Sequence, residues 1–157
     1  MKTTFMSLIL LALPSAGLGL MAAAAPGDTP QSQPAAAAEP ERIEVQHILI
    51  AFKGTLPGKP IERSQEDAKK LAYDLLARAK KGESYDELVR KYTDDSAPGV
   101  YGMANLNVTP AQGEYPRDRM VRAFGDVGFK LKVGEFGIAD YDAKSSPFGY
   151  HIIKRTK

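Results

Sequence analysis

Two histidines are the whole imidazole complement of this 157-residue chain, His47 and His151. Each lies in a run rich in branched apolar residues, Val45 to Ile50 and Phe148 to Ile153. Such runs are strand-forming, so both rings are expected to be held on strands of one sheet rather than on loops. If those strands are neighbours the rings can meet and share a proton. Two roles stay open for such a pair: a structural hydrogen bond pinning two strands, or an organiser of a reactive site. A zinc site is not expected, because two histidines without cysteine supply too few of the usual ligands.

The segments between the histidines must place them. Ile43 to Phe52 is the expected first strand, followed by a Gly/Pro-rich loop from Lys53 to Pro60. Ser64-Gln65-Glu66-Asp67 is a helix-start pattern, and Ala68, Leu71, Ala72, Leu75, Leu76 and Ala79 recur at helical spacing until Lys80-Lys81-Gly82 stops the run. A short second helix is expected from Ser84 through Tyr92, ending in the polar turn Thr93 to Gly99. Val100 to Val108 is a weak strand and 109–116 a loop. A third helix is expected from Pro116 to about Asp126, with Met120, Val121 and Phe124 on one side. Phe136 to Ala139 and Phe148 to Lys154 are strands able to pair as a hairpin. The expected fold class is α+β: a small antiparallel sheet, its first and last strands central, surrounded by three to four helices.

The N-terminal part is different. Lys2, an apolar stretch from Phe5 to Leu20, then Ala22 to Ala25 before Pro26 make up a secretory signal pattern over residues 1–25. An uncleaved membrane anchor is the competing reading of that run. Residues 26–41, rich in Pro, Ala and polar residues, are expected to form a flexible tether, and 42–157 the folded domain. The expected location is therefore outside the cytoplasm, periplasmic or equivalent, with membrane contact only if the segment is not cleaved. The absence of cysteine excludes disulfides, a thiol nucleophile and lipidation at cysteine. With 21 basic and 19 acidic residues there is no basic excess of the kind a phosphate backbone selects, so no nucleic-acid partner is expected.

From about Glu44 to Lys154 the chain resembles the parvulin-type peptidyl-prolyl cis/trans isomerases. The segments carrying the resemblance run in order: Val45–Ile50, Ala79–Leu88, Tyr92–Ser96, Met120–Glu135 and Phe148–Lys154. The resemblance implies that His47 and His151 face each other beneath an active site, that Asp95 takes the family's acidic or cysteine position, and that Thr93 is its hydrogen-bonding neighbour. It implies that Met120 and Phe124 form the proline pocket, with Phe129 in pocket wall or core. Where members commonly show Gly-Gly-Asp-Leu-Gly, this chain has Gly99-Val100-Tyr101-Gly102, which puts Tyr101 in the leucine's place at the pocket rim. The paired arginines of phosphate-reading members are absent, only Lys53, Lys59 and Arg63 standing in that region.

By sequence alone Asp95 is equally readable as a turn cap in Thr93-Asp94-Asp95-Ser96, and Met120 with Phe124 as core. The function implied is non-covalent acceleration of Xaa-Pro isomerisation in unfolded or extended polypeptides, by a monomer that needs no cofactor. The alternative is a peptide-binding chaperone module of the same shape with little or no isomerase activity.

Overall fold

The computed structural model describes residues 38–157. The signal segment expected at 1–25 and the tether up to residue 37 lie outside the described residues. Nine residues of apolar alternation make β1 (Arg42–Ile50), and a Ser64-capped amphipathic stripe makes α1 (Gln65–Lys80). The cap works as its sequence predicts, the Ser64 side chain accepting a hydrogen bond from the Asp67 N–H at 3.1 Å. Then follow α2 (Tyr85–Tyr92), β2 (Val100–Ala104), β3 (Glu114–Pro116), a 3-10 turn at Arg117–Arg119, α3 (Arg122–Gly128), β4 (Phe136–Ala139) and β5 (Tyr150–Arg155).

The five strands form one sheet in the order β3-β2-β1-β5-β4. The expected central pair is therefore present: β1 lies between β2 and β5, antiparallel to both, and β4 pairs with β5 as the expected hairpin. One strand goes beyond expectation. Glu114 to Pro116, within the expected loop, adds parallel to β2, so the sheet is mixed. Three residues bounded by Gly113 and a proline have too short a pattern to register as a strand, and Arg42 pairing with Glu114 supplies the tie that places them.

Strand alternation splits the core in two. Ile48, Ile50, Tyr150 and Ile152 face α1 and α2, where Ala68, Ala72, Leu75, Leu88 and Val89 close over them. Ile43, Val45, Met103 and Ile153 face the other side, under Phe124 and Phe129. Each fully buried large aliphatic side chain contributes about 1.5–3 kcal/mol, so the two half-cores hold the sheet as the middle layer of a three-layer domain.

The third helix differs from its expected span. Pro116 ends β3 instead of opening a helix, Met120 is extended at φ −90° and ψ 164°, and α3 starts only at Arg122. The cause is Arg117, whose largely buried guanidinium pairs with Glu39 and Asp126 and stacks 4.7 Å from the Phe129 ring centroid. That anchor commits the 117–119 turn before the helix can begin. The last strand likewise begins at Tyr150 and not Phe148. Gly149 has φ +137°, and a Cβ there would stand 2.3 Å from the Ile50 carbonyl oxygen, so the chain turns at this glycine.

Candidate active site

The meeting of the two histidines follows from register. In the β1–β5 ladder His47 lies opposite Ile153 and His151 opposite Leu49, so the histidines are diagonal neighbours on one face of the sheet. Both rings are buried, stacked at an interplanar angle of 14°, with the two Nδ1 atoms 3.3 Å apart. The Phe124 ring stands edge-on to both, its centroid 5.1 Å from that of His47 and 5.6 Å from that of His151.

Asp95 reaches the pair from the turn after α2. That turn is laced to the end of β1: Asp94 N–H donates to the Leu49 carbonyl at 2.8 Å, Leu49 N–H to Thr93 Oγ1 at 3.2 Å and Ala51 N–H to Asp94 Oδ2 at 2.8 Å. Farther along, His47 N–H donates to the Gly99 carbonyl at 2.9 Å, and the Gln46 amide bridges Asp86 and the Pro98 carbonyl. Gly99 is required here, since with φ +68° a Cβ would meet the His47 carbonyl oxygen at 2.5 Å. The result sets Asp95 Oδ2 at 3.2 Å from His47 Nε2. Thr93 is turned away from the cavity, its hydroxyl oxygen accepting from the Leu49 and Asp95 N–H groups. It shapes the turn that carries Asp95.

The proton positions follow from the partners. The hydrogen bond from His47, then the Ser96 N–H and the Tyr101 hydroxyl, hold the Asp95 carboxyl down at about 2, against the opposing effect of burial. An ionised carboxylate only accepts, so His47 Nε2 carries the hydrogen that points at it. The two facing Nδ1 atoms then share one hydrogen between them, its placement set by the protonation of the two rings. Burial, reinforced by the adjacent His47, pushes His151 down to about 3, so its ring is neutral at physiological pH. Its Nε2 is buried and has no hydrogen-bond partner among the described residues.

A stability profile follows from that burial. Unfolded histidine takes up a proton near about pH 6.5, whereas His151 in the fold resists one until about 3. Below the unfolded value the unfolded chain binds the extra proton, so stability is full above that pH and falls as the pH drops toward the folded value. The expected slope from this ring approaches about 1.4 kcal/mol per pH unit. Asp95 adds a loss in the same direction between its unfolded value of 3.8 and its folded value of about 2. Urea midpoints measured from pH 7 to pH 4, with imidazole nitrogen NMR alongside, check this; a His151 ring that protonates near pH 6 in the folded protein would refute it.

Above the rings opens a cavity of about 300 Å³, lined by His47, His151, Asp95, Tyr101, Met120 and Phe124, and also by Leu49, Leu56, Val121 and Phe148. Six of the eight residues singled out by sequence thus meet at one place. Thr93 stands behind Asp95, and Phe129 does not reach the cavity: it is 2 % exposed, in the core between Arg117 and the sheet. Of the lining residues that sequence reasoning missed, Leu49 was legible, being two residues from His47 on the same strand face. Leu56 and Phe148 sit in irregular segments, where no periodicity indicates a direction.

The cations nearest a phosphate-reading position are committed elsewhere. Arg63 pairs with Asp94 and donates to the Ala51 carbonyl, Lys59 donates to the Asp94 carbonyl, and Lys53 lies 3.4 Å from Glu62. Among the described residues no cluster of His, Asp or Glu could hold a metal ion.

Comparison with known proteins adds to this geometry. The family model described as the PPIC-type PPIASE domain matches residues 34–157. The chain is 33 % identical over 116 residues to foldase protein PrsA of Bacillus subtilis, covering 74 % of this chain and 30 % of that protein. It is 36 % identical over 110 residues to chaperone SurA of Chromohalobacter salexigens, covering 70 % of this chain and 21 % of that protein. To peptidyl-prolyl cis-trans isomerase pin1 of Schizosaccharomyces pombe it is 30 % identical over 129 residues, covering 78 % and 66 %. The chain therefore spans between a fifth and a third of the length of those PrsA and SurA relatives. Among solved structures, that of TbPIN1 superposes with a TM-score of 0.56 at 22 % identity, covering 74 % of this chain and 98 % of that one, a likeness of fold.

Proposed function

This chain belongs to the PPIC-type family, the parvulin-type peptidyl-prolyl cis/trans isomerases, and from that membership we propose that it accelerates Xaa-Pro isomerisation in unfolded or extended polypeptides. One observation carries the reading: the mostly apolar cavity of about 300 Å³ has a fixed carboxylate on its wall and a buried histidine pair at its base.

Rotation about the amide is opposed by a barrier of about 18–20 kcal/mol, because the planar form is conjugated. No bond need break. An acceleration of a thousandfold needs about 4 kcal/mol of differential stabilisation. Met120, Phe124 and Val121 give a dry seat for the proline ring. A dry seat favours the twisted imide, which has lost the charge separation of the planar form. With the carbonyl oxygen placed toward Asp95, the carboxylate repels the partial negative charge that conjugation puts on that oxygen, which raises the planar form more than the twisted one. The histidine pair holds Asp95 and takes no proton from substrate. Covalent catalysis would serve no step of this reaction.

The substrates proposed are proline-containing segments of other exported polypeptides. Support for export comes from the signal pattern in residues 1–25, which also allows an uncleaved anchor. The chaperone reading keeps the same cavity with little catalysis, and the names of the PrsA and SurA relatives give it a place.

The test is NMR exchange or protease-coupled kinetics on a short Xaa-Pro peptide series with the full chain. We expect cis-to-trans exchange to accelerate in proportion to enzyme concentration. Exchange at the uncatalysed rate in the presence of folded protein that still binds unfolded polypeptide would establish the chaperone reading instead.

A further inference from the structure

One oxygen of Asp95 receives two donors. His47 Nε2 lies 3.2 Å from Oδ2 and the Tyr101 hydroxyl lies 3.1 Å from the same atom. The second donor comes from the position where the resemblance leads one to expect leucine, a side chain that could line the rim but donate nothing. Building on the isomerase reading, we propose that Tyr101 is a positioning residue: its hydroxyl joins His47 in pinning Oδ2, so that the carboxylate keeps one orientation at the cavity wall and Oδ1 is left without a side-chain donor.

The geometry gives the hydroxyl little freedom to do otherwise. Tyr101 sits on β2 opposite Val45, on the sheet face that carries His47. Its ring stands edge-on to His47 at 5.2 Å and to Phe124 at 6.1 Å, and tilts against Tyr115 of β3 at 5.7 Å. Packing from three directions fixes the ring, and the ring fixes the oxygen. Burial and then the neighbouring carboxylate push the phenol up to about 12, so it remains a donor across the working range.

The groups facing Asp95 are few. They are His47 from β1, Tyr101 from β2, the Ser96 N–H within its own turn and, farther off, His151 from β5. Tyr115 stands behind Tyr101. Among the described residues no lysine or arginine is bonded to Asp95, since Lys59 and Arg63 engage Asp94. Loss of the Tyr101 hydroxyl leaves only His47 and the Ser96 N–H to hold the carboxylate, which loosens its rotation about its own bond. A hydrogen bond to a charged group favours the ionised form, so its loss also makes protonation easier.

The experiment uses the full chain with Tyr101→Phe, which removes one oxygen and keeps the packed ring, and Tyr115→Phe as the control. Two readouts are taken: the carbon-13 titration of the Asp95 carboxyl, and kcat and KM for a Xaa-Pro peptide as functions of pH. In Tyr101→Phe the Asp95 midpoint is expected to rise by about half to one pH unit. The acid limb of kcat should move up with it, and kcat at neutral pH should fall about three- to tenfold with KM changed less than about twofold. Tyr115→Phe should leave the midpoint where it is in the wild type. An unchanged Asp95 midpoint in Tyr101→Phe, with or without lost turnover, overturns the proposal. Absence of any wild-type acceleration would instead defeat the isomerase reading, and the carboxyl titration would still decide whether Tyr101 holds Asp95.

Discussion

Truncating Phe124 to alanine is expected to lower folding stability by about 3–5 kcal/mol, the range for deleting a buried aromatic side chain. Phe124 is 2 % exposed and stands at the junction of two systems: the half-core with Ile43, Val45, Met103 and Ile153, and the floor of the cavity beside both histidines. Its removal opens a void that α3 cannot close. That helix is tied at one end to Ser145, whose carbonyl accepts the Ala123 N–H at 2.9 Å, and at the other by the Arg117 pair with Asp126. A domain whose total stability lies in the usual range of about 5–15 kcal/mol would be near its threshold. Phe124→Leu keeps most of the volume and should cost about 1.5 kcal/mol or less, so it serves for kinetics, where weaker gripping of the proline ring should raise KM more than it lowers kcat. Urea unfolding measures the first effect. A loss below about 1 kcal/mol in Phe124→Ala would mean that the ring is not part of the core as described.

Asp95→Ala and Asp95→Asn should each reduce kcat/KM by about 10- to 100-fold, on the basis that one charged interaction at a reacting carbonyl is worth about 1.5–3 kcal/mol. The fold should survive, because the Asp95 side chain is 35 % exposed and the turn that carries it is held by Thr93 and Asp94 rather than by its own carboxylate. Asn is the sharper test. It keeps the shape and removes the charge, so it separates electrostatic repulsion of the carbonyl from simple filling of the site. Retention of full activity in a folded Asp95→Asn protein would remove the role given to the carboxylate and leave the apolar seat as the whole catalyst.

The two variants probe different parts of one arrangement. Under the proposed mechanism Phe124 acts on the proline ring and on stability together, whereas Asp95 acts on the imide alone. If Phe124→Leu and Asp95→Asn both lower kcat/KM, their double variant should show whether ring seating and carboxylate orientation are independent. The shared neighbour His47 touches both side chains and is the physical route for any coupling.

Much of the site is legible in the amino-acid sequence. The histidines stand in apolar alternation, the period of a strand is two, and a strand pair of either direction keeps same-face residues together. From that alone His47 and Leu49 can be assigned to one face of β1; that His151 shares it depends on the register between β1 and β5, since a slip of one residue would turn it to the opposite face. α1 is equally plain, since its cap, its 3.6-residue stripe and its glycine stop agree with one another. The family resemblance adds Asp95, and it gives a pocket role to Met120 and Phe124, which their spacing alone reads as core.

What only the tertiary structure decided concerns irregular backbone and long-range pairing. Sequence carries local propensity, but the start of α3 is displaced by Arg117, whose partners Glu39 and Asp126 come from both sides of it along the chain. The third residue of the polar turn could have been a cap; it became the site's carboxylate because three hydrogen bonds lace the 93–94 backbone and side chains to Leu49 and Ala51. Phe129 and Phe124 are five residues apart and both belong to the same half-core, yet only Phe124 also lines the cavity, Phe129 being the residue that ends α3 and packs under Arg117. By itself the sequence determined the two imidazoles and the strands that carry them, because strand-forming runs follow from local composition and a period of two. The diagonal register that brings their Nδ1 atoms to 3.3 Å, and the hydroxyl of Tyr101 on the same carboxylate oxygen as His47, were decided by strand pairing between segments distant along the chain, which no local pattern encodes.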